Sequence, residues 1–559
     1  MKTLRWCCLL FGTALLLSAL VGLPRKYNPE LSIQYSRDLL LLMGLLVATA
    51  RFRIAPVVAV VATLGWTLAL SYEWIRSVGV TAMSQEPLLY DAYFLVGHLY
   101  ILMRDLIGSK AATIFGGVFG TLLVVTVLTW WLFRLIQRRS MSVPTAALWA
   151  AVTALVATGW AVEHREFAKG QNSLADLVEN LGKSVEIKDR IGRVISPKAY
   201  ADVRKVELQE RPSVHIYIVE SYGNGIRRRT VRNEYYAMTD GLQDRLRSAG
   251  WATMTGLSEA PVMGGRSWLA DATLLSGRLV KYESVYRNLV PHLASIATVP
   301  GFFNDQGYTT VLMRPKDTAR PGVALVNHFE FDRTIFSKDL AYTGRPYGWA
   351  EIPDQYALGH LRDEVLAPLG DEPNFVFAHL GSSHIPWDEV PPLVEDWRSF
   401  NDYKRRGKGN ADEQLSERQI KNQLKRFKRK DEIRLRRLKP TADNIDDYLR
   451  IITYSMEAVI GHVLDMENPP DMVVVMGDHQ PPLYKNNTDF TVPIHILVRD
   501  PKLHREFRKH GFRRGMRAPK LADKIRHEGF FSLLVRALAR PQGLKMPKYR
   551  SRGTSRKQK

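Results

Sequence analysis

Four short stretches of this chain put metal-ligating or nucleophilic side chains where a strand ends or a helix begins. Glu220-Ser221 follows the apolar run Val214-His215-Ile216-Tyr217-Ile218-Val219, and Gly477-Asp478-His479-Gln480 follows Met472-Val473-Val474-Val475-Met476. Gly264-Gly265-Arg266-Ser267-Trp268 sets a hydroxyl behind two glycines at a helix start, and Ser382-Ser383-His384-Ile385-Pro386-Trp387 follows a further apolar run. Ligands of open α/β sheets gather beyond the carboxyl ends of the strands. Hard oxygen donors with an imidazole suit one divalent metal ion, Mn, Zn or Mg. The adjacent Asp478 and His479 are the most specific of these signals, since a sharp turn can aim both at one ion. Glu220 is a candidate ligand, although a carboxylate at a strand end also serves as a helix cap or ion-pair partner. Ser267 is a candidate metal-activated nucleophile beside helix N–H groups that favour an anion; serine is also a common N-cap. His384 is a candidate donor to a phosphate oxygen or leaving group, or a loop histidine without a role.

These residues need a sheet to carry them. Apolar runs at Val214–Val219, Ala252–Thr255, Thr309–Met313, Asn374–Leu380, Met472–Met476 and Val492–Val498 read as strands. Between them, Tyr235–Ala249, Ser267–Leu275, Phe302–Gln306, Leu358–Leu366 and Ala442–Leu464 read as helices. Strands alternating with helices predict an α/β domain with a largely parallel sheet. A basic stretch at about residues 394–440 interrupts the pattern like an insertion; Ile420, Leu424, Phe427, Leu435 and Leu438 recur on one helical stripe within it.

The first 162 residues have a different character. Leu4–Leu23, Ile54–Trp74, Ala111–Ile136 and Val143–Val162 are each about the ~20 apolar residues that cross a bilayer. Leu39–Ala50 is shorter and is expected to extend back through Leu31–Ser36, giving five spans in all. Lys2, Arg5, Arg51, Arg53, Arg138 and Arg139 mark the cytoplasmic loops, so the residues after 162 lie outside the cytoplasm. Pro87–Ile107, which carries Asp91, His98 and Arg104, reads as an interfacial helix on the outer side. Cys7 and Cys8 are the only cysteines of the 559 residues, so no disulfide stabilises the large domain. That suits a bacterial envelope. Of the net charge of +22, residues 401–440 hold 15 Lys/Arg against 6 Asp/Glu and residues 501–559 hold 19 against 3. Outside the cytoplasm such segments meet anionic lipid head groups rather than nucleic acid, unless they are merely solvated surface.

In this order and spacing, Glu220-Ser221, Ser267, the Ser-His-x-Pro stretch around His384 and the pair Asp478-His479 resemble the alkaline phosphatase superfamily. The branch is the sulfatase-like one of lipoteichoic acid synthases and of phosphoethanolamine and phosphoglycerol transferases. The resemblance implies five N-terminal spans and an alkaline-phosphatase-like α/β domain outside the membrane. It implies metal ligation by Glu220, Ser267, Asp478 and His479, with Ser267 the nucleophile, and substrate contacts from His384 and, more distantly, Arg314. The implied organisation is a transmembrane bundle over 1–162, a helical connector over 163–210, a catalytic domain over 211–540 and a basic tail over 541–559. The implied reaction moves a phospho-head group from a phospholipid donor to an envelope glycan or lipid, in the inner membrane of a bacterium. A phosphodiesterase or phosphatase acting on soluble substrates is the alternative enzyme, and a membrane scaffold binding anionic polymer is the alternative non-enzyme. Two departures bear on this. Ser267 stands where lipid-derived transferases often have threonine, which preserves the hydroxyl. No Cys-x-Pro-x-Arg occurs, which argues against sulfate-ester hydrolysis by a formylglycine.

Overall fold

The computed structural model describes residues 2–22, 36–83, 86–91, 110–139, 173–227, 230–318, 326–385, 387, 389–402, 442–481, 489–519 and 524–554. The chain divides into two compact units, Met1–Lys188 and Asp189–Lys559.

The first unit is helical, with helices at Lys2–Gly22, Arg37–Thr49, Ala55–Met83 and Lys110–Arg139. Leu10, Leu17, Leu39, Met43, Leu46, Trp66, Phe133 and Ile136 form their shared core. Outward faces stay apolar: Val57, Leu64, Leu68, Val118, Phe119 and Leu123 are all exposed. Among the described residues two stretches, Ala55–Ser77 and Ala112–Arg139, are long and apolar enough to cross a membrane, and Cys8–Leu20 is a shorter apolar helix. Of the expected extension of the second span, residues 31–35 lie outside the described residues. Ser36 is an N-cap in extended conformation whose Oγ accepts from Leu39 N at 3.2 Å, so the helix begins at Arg37. The expected span Val143–Val162, and Pro87–Ile107 beyond residue 91, lie outside the described residues. Several charged groups within this unit have partners. Arg76 meets Asp176 at 2.6 Å and Glu86 at 3.2 Å, and Asp38 accepts from Leu174 N at 3.0 Å.

The second unit is an α/β domain around a mostly parallel sheet. Its strands are β1 (Val214–Val219), β2 (Ala252–Glu259), β3 (Thr309–Arg314), β4 (Arg333–Phe336), β5 (Asn374–His379), β6 (Met472–Gly477), β7 (Thr491–Val498), β8 (Arg513–Arg514) and β9 (Ile525–Arg526). They run in the order β4-β3-β5-β1-β6-β7-β2-β8, with β9 beside β2. The block from β4 to β6 is parallel throughout, and β7 runs against both of its neighbours. Every residue of β1, β6 and β7 is buried. That is why their sequences are apolar runs rather than alternations: helices cover both faces. One face packs on Ala442–Leu464 and Arg232–Ser248, the other on His527–Ala539.

Register brings the functional ends together. Ile218 of β1 pairs with His379 of β5, and Val219 pairs with Gly477 of β6. Glu220, His379 and Asp478 therefore emerge side by side at one sheet edge.

Several elements differ from their sequence reading. β2 runs on to Glu259 because β7, β8 and β9 all pair with it. The strands β4, β8 and β9 are too short for a period to show. The helix His527–Ala539 is buried at every residue even though Glu528, Ser532 and Arg536 recur at four-residue spacing, and it is absent from the sequence reading. Residues 541–554 lie against the domain: Leu544, Met546 and Tyr549 pack on the core beneath His527–Ala539, and Arg550 pairs with Asp202 at 2.8 Å. The stretch 403–441, which holds nearly all of the basic insertion and its apolar stripe, lies outside the described residues.

Candidate active site

The chain turns sharply where β1 ends. Ser221 has φ +59°, and its amide donates to Asp478 Oδ1 at 2.8 Å. Tyr448 OH donates to Ser221 O at 2.7 Å and accepts from Gly223 N at 3.0 Å, which fixes the bend from the helix side. Gly477 closes the other flank. A Cβ there would lie 1.9 Å from Tyr222 O, so only glycine lets the two strand ends approach this closely.

The segment before Ser267 is a run of left-handed residues, Gly264 at φ +70°, Gly265 at +144° and Arg266 at +65°. Its position is set by Gly264 N donating to Gln480 O at 2.9 Å. Arg266 is the N-cap of the helix Ser267–Ser276 and makes no side-chain cap. Ser267 is thus the first helical residue, and its hydroxyl is not used for capping. Instead Oγ reaches Glu220 Oε1 at 3.2 Å, Glu220 Oε2 at 3.1 Å and His479 Nε2 at 3.4 Å. Ser267 is partly open to solvent, whereas Ser221 is buried.

Glu220, Asp478 and His479 are all buried, with one ligand atom from each lying within 4.8 Å of the others. His479 Nε2 stands 3.2 Å from Asp478 Oδ2 and 3.4 Å from Glu220 Oε1. Asp478 Oδ1 accepts from two backbone amides, while Oδ2 has no hydrogen-bond partner. A buried carboxylate oxygen without a donor is costly. Two carboxylates, an imidazole and a hydroxyl around such an oxygen fit a divalent cation.

Three further residues that sequence reasoning did not single out complete the cluster. His379 Nε2 lies 3.2 Å from Glu220 Oε2 and 3.6 Å from Asp478 Oδ2, and Nδ1 lies 2.9 Å from both oxygens of Asp271. Lys316, also buried, forms an ion pair with Glu220 Oε2. Asp271 also accepts from Arg314 Nη2 at 3.0 Å. Faint signals existed for each. His379 lies at the end of a strand, Asp271 lies one helical turn after Ser267, and Lys316 follows β3 by two residues.

Burial would raise the Glu220 carboxyl, but the Lys316 ammonium and the hydrogen bond from His379 hold it well below the usual carboxylate range. Burial would lower His379, yet Asp271 pushes it up to about 9. Burial would likewise raise Asp271, and His379 with Arg314 keeps it low.

Arg314 joins the cluster indirectly, through Asp271 and through Asp317 at 3.3 Å. His384 is partly buried and stacks on Trp349 with ring centroids 4.0 Å apart. Burial pushes it down to about 4, so the ring is neutral near pH 7. Its Nδ1 lies 2.7 Å from Ile385 O, which assigns the proton to Nδ1 and leaves Nε2 as a base. The loop carrying it is anchored by the buried Asp354, which accepts from Gly381 N at 3.0 Å and Ser382 N at 2.9 Å, and by Ser383 Oγ donating to Glu220 O at 2.7 Å. Pro386, part of the stretch around His384, lies outside the described residues.

Residues 264–511 match the Sulfatase family model. No curated protein matches the chain in sequence. Among solved structures, the lipoteichoic acid synthase LtaP from Listeria monocytogenes is similar at 14% identity and a TM-score of 0.35, over 63% of this chain and 79% of that one. The phosphoglycerol transferase GacH from Streptococcus pyogenes, solved with sn-glycerol-1-phosphate, gives 16% and 0.35 over 63% and 80%. The periplasmic domain of EptC from Escherichia coli, solved with Zn, gives 14% and 0.34 over 64% and 88%.

Proposed function

We propose that this chain, a sulfatase-like enzyme of the alkaline phosphatase superfamily, transfers a phosphoglycerol or phosphoethanolamine head group from a phospholipid to an envelope glycan or lipid. The observation that carries the reading is the partly open Ser267 Oγ, 3.1–3.2 Å from both oxygens of Glu220 and facing the unpartnered Asp478 Oδ2 region through His479. Glu220, Asp478, His479 and Ser267 would hold one divalent ion, which supplies Lewis-acid polarisation of a phosphoryl oxygen and lowers the pKa of the bound hydroxyl.

In the first half-reaction Ser267 Oγ attacks phosphorus. The bond from phosphorus to the diacylglycerol oxygen breaks, that oxygen takes up the proton given up by Ser267 Oγ, diacylglycerol leaves, and the head group remains as an ester on Ser267. In the second half-reaction the acceptor hydroxyl attacks that phosphorus and Ser267 is released. Neutral His384, with Nε2 unprotonated, is suited to take the acceptor's proton. With water as acceptor the same steps amount to a phosphodiesterase. The two apolar helices Ala55–Ser77 and Ala112–Arg139 support a membrane-anchored enzyme with a lipid donor. Five spans, an extracytoplasmic catalytic domain and a bacterial inner-membrane location complete the proposal, with the basic segments resting on anionic lipid.

The test is release of labelled diacylglycerol from phosphatidylglycerol or phosphatidylethanolamine by purified protein. A head-group adduct on the peptide bearing Ser267 should accumulate when acceptor is scarce. Ser267→Ala should lower turnover by at least ~10⁴-fold, and Ser267→Thr should keep part of it. An adduct on Ser221, or full turnover by Ser267→Ala, refutes the assignment.

A further inference from the structure

Only the first two residues of the helix Ser267–Ser276 reach the surface, since Leu269 to Ser276 are all buried. One is Ser267. The other is Trp268, which is 40% exposed. Among the described residues from 189 on, it is the one exposed Trp, Tyr or Phe side chain. The ring is fixed in place. Its Nε1 donates to Glu283 Oε2 at 3.0 Å, and Arg287 Nε donates to Glu283 Oε1 at 3.1 Å, so both oxygens of that carboxylate are engaged. A ring already held costs little to order when a ligand arrives.

A fixed aromatic surface left in water next to the reacting hydroxyl calls for a ligand that covers it. An acyl chain is a poor fit, because the group that holds the indole is a carboxylate backed by a guanidinium, and drawing those charges into a lipid layer is costly. A pyranose ring fits: its faces carry C–H groups that stack on an indole, and its edge carries hydroxyls that suit a charged rim. On the head-group-transfer reading, on which this rests, we propose that the Trp268 indole is the stacking platform for the acceptor and that the acceptor is a glycan. Trp268 is then a specificity-determining residue. A sugar stacked on it stands one residue away from the phosphorus on Ser267. One of its hydroxyl oxygens bonds to that phosphorus, the bond from phosphorus to Ser267 Oγ breaks, and the hydroxyl proton passes by way of His384 to Ser267 Oγ. Covering the exposed part of the indole, about 60–100 Å², corresponds to roughly tenfold or more in affinity for the sugar.

The test separates donor from acceptor. Full-length protein is given vesicles of head-group-labelled phosphatidylglycerol or phosphatidylethanolamine, with oligosaccharides of glucose and of N-acetylglucosamine as acceptor probes. Diacylglycerol release and label on the sugar are followed together, and each variant is checked by its melting transition. Wild type should label a sugar with saturable kinetics. Trp268→Ala should raise the KM for that sugar at least tenfold, with the KM for phospholipid within twofold of wild type. Trp268→Phe, which keeps a flat face, should restore most of the loss, and Trp268→Leu, which keeps apolar bulk without one, should not. Full rescue by Trp268→Leu, or a phospholipid KM that rises in step with the sugar KM, would show a lipid contact and overturn the inference. So would an unchanged sugar KM in Trp268→Ala, or a wild type that releases diacylglycerol yet labels no sugar; both leave the proposed function standing. Folded wild type that releases no diacylglycerol overturns the proposed function itself.

Discussion

Gly477→Ala tests how the sheet edge assembles the site. The added Cβ would lie 1.9 Å from Tyr222 O and 2.7 Å from Tyr222 C. Both are backbone atoms, so no rotamer change relieves the contact. Carbon contacts settle near ~3.5 Å, so the two segments must part by roughly 1.5 Å. That displacement falls on the site, because Tyr222 is two residues from Glu220 and Gly477 adjoins Asp478. The same two turns are tied by Ser221 N donating to Asp478 Oδ1 at 2.8 Å. Overpacking of this size costs about 1–3 kcal/mol. A catalytic group misplaced by ~1 Å costs about 10²-fold in rate. The expected variant is folded, melts lower than wild type, holds less metal and turns over at least ~100-fold more slowly. Elemental analysis and diacylglycerol release measure the two effects. Gly461→Ala is the control: nothing lies within 4 Å of a Cβ at this position in the last turn of Ala442–Leu464, so it should stabilise by about 0.5–1 kcal/mol. Wild-type metal content and turnover in Gly477→Ala would show that this close approach does not set the ligand geometry.

Stability should fall on mild acidification. Burial holds His215 at about 4 and His495 at about 3, against 6.5 in the unfolded chain. The unfolded chain binds the extra protons below pH 6.5. The stabilisation is therefore complete above 6.5 and is lost as pH falls toward 3–4, at up to ~2.7 kcal/mol per pH unit for the two together. A urea midpoint unchanged between pH 7 and 5, or a slope unaltered by His495→Gln, contradicts this. Asp271→Asn removes the charge that pairs with His379 and Arg314 in a buried setting, and unfolding in urea should show a loss of about 3–5 kcal/mol. A loss under ~1 kcal/mol would mean that the pair is dispensable. A reporter active only outside the cytoplasm, fused after Lys559, should be active; an inactive reporter on a stable fusion reverses the proposed topology.

The amino-acid pattern alone pointed to an α/β class for the large domain and to the strand-end and helix-start residues Glu220, Ser267, Asp478 and His479 that the structure brings together. Val214–Val219 and Met472–Met476 are uninterrupted apolar runs because parallel strands are buried on both faces. A polar residue directly after such a run is therefore at a strand end, where α/β sites form. Two glycines before Ser267 announced the left-handed turn that delivers a hydroxyl to a helix start. The lack of cysteine beyond Cys8 argues against a cysteine-derived formylglycine from the sequence alone.

Adjacency was decided only by the tertiary structure. Strand pairing joins segments far apart in the chain, and periodicity is a local property that does not record it. Nothing near Asn374 says that β5 will lie beside β1, so nothing in the sequence marks His379 as a neighbour of Glu220. Lys316 and Asp271 are individually ordinary, and they gain meaning from ion pairs that cross from β3 and the Ser267 helix to the ends of β1 and β5. Whether Ser267 capped its helix or faced Glu220 turned on one backbone angle, the φ of +65° at Arg266. The helix His527–Ala539 carries a polar stripe, Glu528, Ser532 and Arg536, but the stripe faces protein rather than water: Arg536 pairs with the buried Glu506, a partner that only the tertiary structure supplies.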